Sequence, residues 1–217
     1  MNKVYEFIAD ILMPNRCPCC YKVIQYNELV CKECIKKLPI YNAEDKTVPA
    51  GCSAVICAFV YKDSAKNGVL ALKKSWGYSF AEYSAKILSE RLEGCGAELI
   101  TSVPTTKRKL RNKGWNQADV IAKALSKEMD IPCDLKLLVR AESAQQQHEL
   151  HAGERASHAR EIYSISKRHK NITDKRILLV DDICTTGATF SACADLLNSL
   201  GAKDIIAVSV CRTLKER

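Results

Sequence analysis

The chain has 217 residues, 47% apolar and 27% charged, a composition ordinary for a soluble globular protein with room for one medium α/β domain and a small appendage. No apolar run approaches the roughly 20 residues a membrane-spanning helix needs, so a membrane-spanning reading is excluded. The net charge of +8 favours anionic ligands such as phosphates or nucleic acid without demanding them.

The first segment, MNKVYEFIADILMP, places Val4, Phe7, Ile8, Ile11 and Leu12 on one face of a short amphipathic helix ended by Pro14. Lys3, Glu6 and Asp10 interrupt any signal-peptide core, and with no cleavage site following, a cytoplasmic location is expected. Twelve cysteines are many for such a protein. Four of them, Cys17, Cys20, Cys31 and Cys34, form two C-x-x-C knuckles whose spacing suits one tetrahedral Zn²⁺ of the closed, structural kind. A redox role is the rival, although redox pairs usually occur singly and at a helix start. Cys19 is left over and can compete for the metal. The segment has too few apolar residues for its own core, which makes a metal the more necessary.

Residues 42–50, NAEDKTVPA, read as a linker, dividing a ribbon over 1–48 from a larger domain over 49–217. In that domain, strands are expected at 52–61, 98–103, 135–139, 161–165, 176–180 and 205–210. Helices are expected at 64–74, 78–92, 116–129 and 188–200. This alternation implies a mainly parallel sheet with helices on both faces, and ligands bound beyond the carboxyl ends of its strands. Between the elements lie a basic loop at 104–117 and a Gln-, His- and Arg-rich arm at 140–160. His148, His151, His158 and His169 fall in or near polar segments and in no metal spacing, so they are expected to be exposed.

The most specific segment is 177–189, ILLVDDICTTGAT. An apolar run suited to a doubly buried strand is followed at once by Asp181 and Asp182, then by Thr185, Thr186, Gly187, Ala188 and Thr189 leading into a helix. Small and hydroxyl-bearing residues let backbone N–H groups wrap a phosphate, and the helix N-terminus adds partial positive charge. The carboxylates one loop-width away can accept hydrogen bonds from a sugar's vicinal hydroxyls or help hold Mg²⁺. Cys184, inside the loop, reads as a small filler or as a thiol activated by the helix terminus. Cys52, Cys57, Cys95, Cys133, Cys193 and Cys211 read as small core hydrophobes.

This unit resembles the phosphoribosyl pyrophosphate (PRPP) motif of the type I phosphoribosyltransferases. The resemblance implies ribose contacts for Asp181 and Asp182 and assigns the 5-phosphate to 185–189. It further implies displacement of pyrophosphate at the anomeric carbon, with Mg²⁺ and basic residues stabilising the leaving group. The best cradle for that pyrophosphate is the basic stretch after Val103, with Thr105, Thr106, Lys107 and Arg108. The same stretch suits a nucleic-acid backbone, with Trp115 either packed against the core or stacked on a base.

The order of parts resembles the ComF family, amidophosphoribosyltransferase-like proteins associated with natural competence. Cysteine knuckles come first, then a VP…R…RGFNQA-like stretch matched by Val103, Pro104, Arg108, Gly114, Asn116, Gln117 and Ala118. An arm matched by Arg140, Gln147, Leu150 and Arg155 and the LLVDDICTTGAT segment follow. Lys113, Trp115, His158 and Tyr163 depart from the pattern, where Arg, Phe, Asn and Phe are expected; His158 bears on a lid role for the arm. The resemblance implies a PRPP site with Mg²⁺, handling of incoming single-stranded DNA, and an acceptor that no residue identifies. Two alternatives remain. One is a nucleic-acid-binding accessory protein without turnover, using 107–113 and a second cluster at 167–170 with Lys175 and Arg176. The other is an interaction module whose ribbon docks a helicase or motor protein.

Overall fold

A computed structural model of the protein describes residues 14–42, 47–74, 77–140, 162–166 and 171–214, with the backbone alone for Lys113. The expected N-terminal helix, the middle of the linker, the arm with Gln147, Leu150, Arg155 and His158, the other three histidines and the 167–170 cluster lie outside the described residues.

In chain order the elements are α1 (Lys32–Lys37), β1 (Ala54–Val60), α2 (Asp63–Ala71), α3 (Tyr78–Arg91), β2 (Leu99–Ser102), α4 (Lys107–Lys113), α5 (Gln117–Met129), β3 (Leu138–Arg140), β4 (Tyr163–Ile165), β5 (Arg176–Cys184), α6 (Ala188–Ser199) and β6 (Asp204–Arg212). Four strands form a parallel sheet in the order β1-β6-β5-β2. β3 and β4 pair antiparallel in a separate two-stranded ladder. The expected α/β class, with a mainly parallel sheet and helices on both faces, is the fold observed.

β5 is central, and its apolar run supplies both faces in alternation. Leu178 and Val180 join the core beneath α2, α3 and α5, while Ile177 and Leu179 join the core beneath α6 and the β3–β4 ladder. All four are buried, as a strand covered on both sides requires. On the first face α2 and α3 approach closely at Gly68, where a Cβ would lie 2.4 Å from the Phe80 ring. Phe80 in turn stacks on Phe59 at 5.9 Å between centroids.

The cysteine-bearing segment is not an independent lobe. Its Cys17, Cys19, Ile24, Val30, Cys34 and Leu38 are buried in the same apolar cluster as Phe59, Val69 and Phe80. Residues 39–41 run antiparallel along β1, with Val60 N donating to Pro39 O at 2.7 Å and Tyr41 N to Ala58 O at 3.0 Å. The segment therefore covers the β1 edge, which would otherwise present unpaired backbone groups.

Three local expectations are corrected. The basic stretch expected as a loop forms α4 over Lys107–Lys113: the Thr106 side chain caps it by accepting from Lys109 N, and Gly114 ends it in the left-handed region at φ 82. Those cap signals outweigh the crowding of cations. The acid pair does not follow β5 but lies on it, because β6 is long enough to pair with Asp181 through Ser209 and with Cys184 through Arg212. The short strand expected at 135–139 is displaced to Leu138–Arg140, because Asp134 Oδ1 accepts from Lys136 N and holds a turn there.

Candidate functional site

The carboxyl ends of β5 and β2 open into a cleft of about 250 Å³. Its floor is Asp181 and Asp182 from β5. The turn after β2 contributes Val103, Pro104 and Thr105, and α6 contributes Thr189. Two further sides come from opposite faces of the sheet. From the α2/α5 face come Lys73, Trp115 and Gln117, and from the β3–β4 face come Arg140 and Tyr163.

The phosphate-loop residues are set by local backbone chemistry. Gly187 has φ 81, and a Cβ there would meet Pro49 Cγ at 2.9 Å, so both conformation and space require glycine. As the N-cap of α6 it brings no side chain to the helix end, and no acid stands in the first turn. Thr186 Oγ1 accepts from Ala188 N at 3.4 Å. Thr185, Thr186 and Ala188 are exposed, and Thr189 is half-buried on the cleft. Of residues 185–189, Thr189 alone lines the cleft, and the donors and partial positive charge of the α6 terminus lie beside it.

Asp181 is half-buried, and its Oδ1 accepts from Asp182 N at 2.9 Å. Burial first, and then the negative charge of Asp182, push the Asp181 carboxyl well above its ordinary value. The Arg140 charge pulls it down, but by less. Arg140 also sits over the Tyr163 ring, 5.3 Å from its centroid. Tyr163, one of the departures from the family pattern, is buried, which raises its phenol; Arg140 and a hydrogen bond with Thr189 oppose that rise.

The residues expected to cradle a second anion are not gathered on the cleft as the basic stretch suggests. Thr105 lines the cleft, but Thr106 serves as the α4 cap. Lys107 lines an adjoining cavity with Pro104 and Arg140, and Arg108 is exposed and lines neither space. The cations that do line the cleft are Lys73, Lys109 and Arg140. Helical periodicity explains Lys109, since it turns a different side chain inward than an extended loop would. Nothing local in the sequence singles out Lys73, which stands just beyond α2. The turn carrying Thr105 is pinned from behind: Asn116 Nδ2 donates to Val103 O and to Asp119 Oδ1, each at 2.9 Å, and Ser102 Oγ donates to the same Asp119 oxygen at 2.5 Å. Burial raises the Asp119 carboxyl despite these two donors.

Beside α2 on the first face, the sulfurs of Cys17, Cys20, Cys31 and Cys34 lie within 4.8 Å of one another. A tetrahedron with arms of about 2.3 Å separates its corners by about 3.8 Å, and the Cys20 and Cys31 sulfurs are 3.7 Å apart. The four thiols therefore fit one zinc ion. Burial pushes the Cys17 thiol up, but the backbone N–H groups of Cys31, Cys19 and Cys20 outweigh it and leave a pKa of about 7. Burial pushes the Cys20 and Cys34 thiols up. Cys19 stands apart, buried in the core with its thiol raised and its carbonyl accepting from Asn67 Nδ2 at 3.1 Å. Cys184 is likewise buried, against Arg212, and behaves as a small filler.

Among the described residues no helix is long and apolar enough to cross a membrane. A family model for the phosphoribosyl transferase domain matches residues 116–217, which include the acid pair and the phosphate loop. Competence protein F of Haemophilus influenzae is 32% identical over 108 residues, covering 50% of this chain and 47% of that protein. Competence protein ComFC of Streptococcus pneumoniae is 29% identical over 162 residues, covering 71% and 66%. The DNA utilization protein YhgH of Salmonella typhimurium is 25% identical over 209 residues, covering 91% and 84%. The match to Competence protein F thus spans about half of that relative's length. Residues 116–217, with the acid-bearing central strand and the segment at 185–189, thus carry a phosphoribosyl transferase domain, and the chain is similar to ComF-type competence and DNA utilization proteins.

Proposed function

We propose that the protein binds PRPP with Mg²⁺ at the cleft and transfers its phosphoribosyl group to an acceptor. The observation that supports this best is the juxtaposition of Asp181 and Asp182 with the N-terminus of α6 in one cleft. The 5-phosphate sits on the backbone of 185–189 and Thr189, and the ribose hydroxyls donate to the acid pair. Pyrophosphate lies toward Thr105, with Lys109 and Arg140 in reach and Lys107 and Arg108 beyond. Mg²⁺ fits here because Asp181 is burdened by the adjacent Asp182 charge, a repulsion that a divalent cation relieves. When bound, Mg²⁺ neutralises charge on the departing pyrophosphate. The protein's own residues bind and orient the sugar, so that the anomeric carbon is presented with its leaving group already held. Residues 1–48 serve as a structural zinc ribbon, with Cys17, Cys20, Cys31 and Cys34 as ligands, and residues 49–217 as the transferase unit. The test is a thermal shift: PRPP with Mg²⁺ raises the midpoint, and Asp181→Asn with Asp182→Asn removes the rise. No shift at millimolar ligand would sink the reading.

A second reading is favoured by α4, whose Lys107, Arg108, Lys109 and Arg111 are all exposed on one seven-residue helix beside the cleft. It supplies a positively charged surface for single-stranded DNA in a family whose relatives carry names of competence and DNA utilization. In the cytoplasm the ribbon would then dock a helicase or motor partner. Binding of short single strands should fall steeply with salt, and Lys107→Ala with Arg108→Ala should flatten that slope by about 1–2 units. Binding indifferent to salt, or none, contradicts it.

A further inference from the structure

Resting on the PRPP and zinc readings, the two centres are joined by one helix. α2 hydrogen-bonds to both cysteine knuckles. Near its start Ser64 Oγ donates to Lys37 O at 3.3 Å, at the end of the helix that carries Cys34. One turn on, Asn67 Nδ2 donates to Cys19 O at 3.1 Å, between Cys17 and Cys20 of the first knuckle. Ser64 and Asn67 stand three residues apart and so share one face of the helix. A metal ion that fixes one knuckle against the other therefore also fixes α2.

The far end of α2 reaches the cleft. Leu70 and Ala71 face a groove of about 330 Å³ whose other side is formed by residues 18–21. The next two residues turn onto the cleft. Leu72 O accepts from Trp115 Nε1 at 2.9 Å, and Lys73 and Trp115 both line the cleft. The corner into α3 is tight: a Cβ at Gly77 would lie 2.1 Å from Ala71 O, and one at Gly68 2.4 Å from the Phe80 ring. Packing this close passes a displacement on instead of absorbing it, and the groove leaves room for one. Access to the four sulfurs is uneven. Cys20 is exposed and Cys31 half-buried, with their sulfurs 3.7 Å apart, whereas Cys17 and Cys34 are buried. An oxidant from solvent meets the Cys20–Cys31 pair first.

We propose that the four-sulfur centre is a redox switch on the cleft, with α2 as the arm that carries its state to Lys73. The Cys20 sulfur attacks one oxygen of hydrogen peroxide, the O–O bond breaks, and hydroxide leaves. The Cys31 sulfur then attacks the resulting sulfenic acid and displaces a second hydroxide, closing a disulfide. The two sulfurs lose two electrons to the peroxide, which ends as two waters after taking two protons from solvent. Cys17 and Cys34 alone are too few to keep a closed zinc site, and the ion is released. The knuckles then shift, α2 follows them, and Lys73 withdraws from the cleft. Lys73 stands on the α2/α5 face, across from the α6 face that carries the phosphate loop. The loss therefore falls on the pyrophosphate end of PRPP and spares the 5-phosphate.

Calorimetry on the full chain, zinc-loaded and reduced or oxidised with hydrogen peroxide, tests this with PRPP and Mg²⁺, pyrophosphate and Mg²⁺, and ribose 5-phosphate. Oxidation should release one zinc per chain and weaken PRPP and pyrophosphate about tenfold, an ordinary size for coupling between two sites. Ribose 5-phosphate affinity should stay within about twofold, which shows that the oxidised chain is still folded. Dithiothreitol with zinc should restore tight binding. Lys73→Met should weaken pyrophosphate binding in the reduced protein and leave oxidation with no further effect. Ser64→Ala with Asn67→Ala should keep its zinc yet lose most of the oxidation effect. PRPP affinity that survives oxidation and zinc release overturns the switch and leaves the PRPP reading standing. So does an equal loss of ribose 5-phosphate affinity, or an undiminished oxidation effect in Lys73→Met. A reduced protein that holds no zinc overturns the switch as well. Absence of any PRPP response in the reduced, zinc-loaded protein overturns both.

Discussion

At the scale of single residues, Asp181 shows how the site departs from ordinary surface chemistry. Its ordinary pKa is 3.8, and burial together with Asp182 raises it in the folded protein. The folded state therefore holds a proton that the unfolded chain has released, over a window that opens near the ordinary value and extends up to the raised one. In that window stability falls as pH rises, because the native state binds more protons than the unfolded state. Asp181→Asn removes this term. The unliganded variant should match wild type at low pH and gain relative to it as pH rises through the window, a divergence readable in urea midpoints at a series of pH values. Parallel midpoints across that range would contradict the account of the cleft floor.

Among the elements, the turn after β2 is held by a device rather than by its own sequence. Asn116, the residue before α5, satisfies Val103 O and Asp119 Oδ1 at once. Asn116→Ala leaves a buried carbonyl and part of a carboxylate without their donor, at a cost of about 1–3 kcal/mol. It should also loosen Thr105 and weaken pyrophosphate binding more than ribose 5-phosphate binding, measured by calorimetry with each ligand separately. Equal loss for both ligands would mean that Asn116 supports the domain at large. The sequence carries NQA as a motif but not this role, because the acceptor is a backbone carbonyl thirteen residues away. The same limit explains what else was legible. Apolar periodicity and an acid pair closing an apolar run announce themselves locally, and the four strands of the parallel sheet and the longer helices were legible from them. Lys73 and Lys109 were not, since their places depend on how α2 ends and on α4 being a helix. That helix was itself signalled by Thr106 and Gly114, two cap residues overshadowed by the surrounding charge. Arg140 was readable only as part of an arm, and its position over Tyr163 arises from the register of β3 against β4.

For the whole molecule, the cysteine-bearing segment and the parallel sheet share one apolar cluster and one strand edge. At the proposed zinc site, binding, worth about 10–16 kcal/mol of apparent free energy in small four-ligand modules, would be felt beyond the cysteine-bearing segment. Treatment with a strong chelator should lower the thermal midpoint of the entire protein in a single transition, with one zinc released per chain. A low-temperature transition confined to the ribbon, with the main transition unmoved, would contradict that coupling. The central claim concerns the cleft, where strand, acids and helix terminus meet. Its most direct measurement is the thermal midpoint with PRPP and Mg²⁺, together and apart, in wild type and in the Asp181→Asn, Asp182→Asn double variant. The account predicts a rise of several degrees in wild type that needs both ligands and vanishes in the variant. No rise in wild type, or an equal rise in the variant, would contradict it.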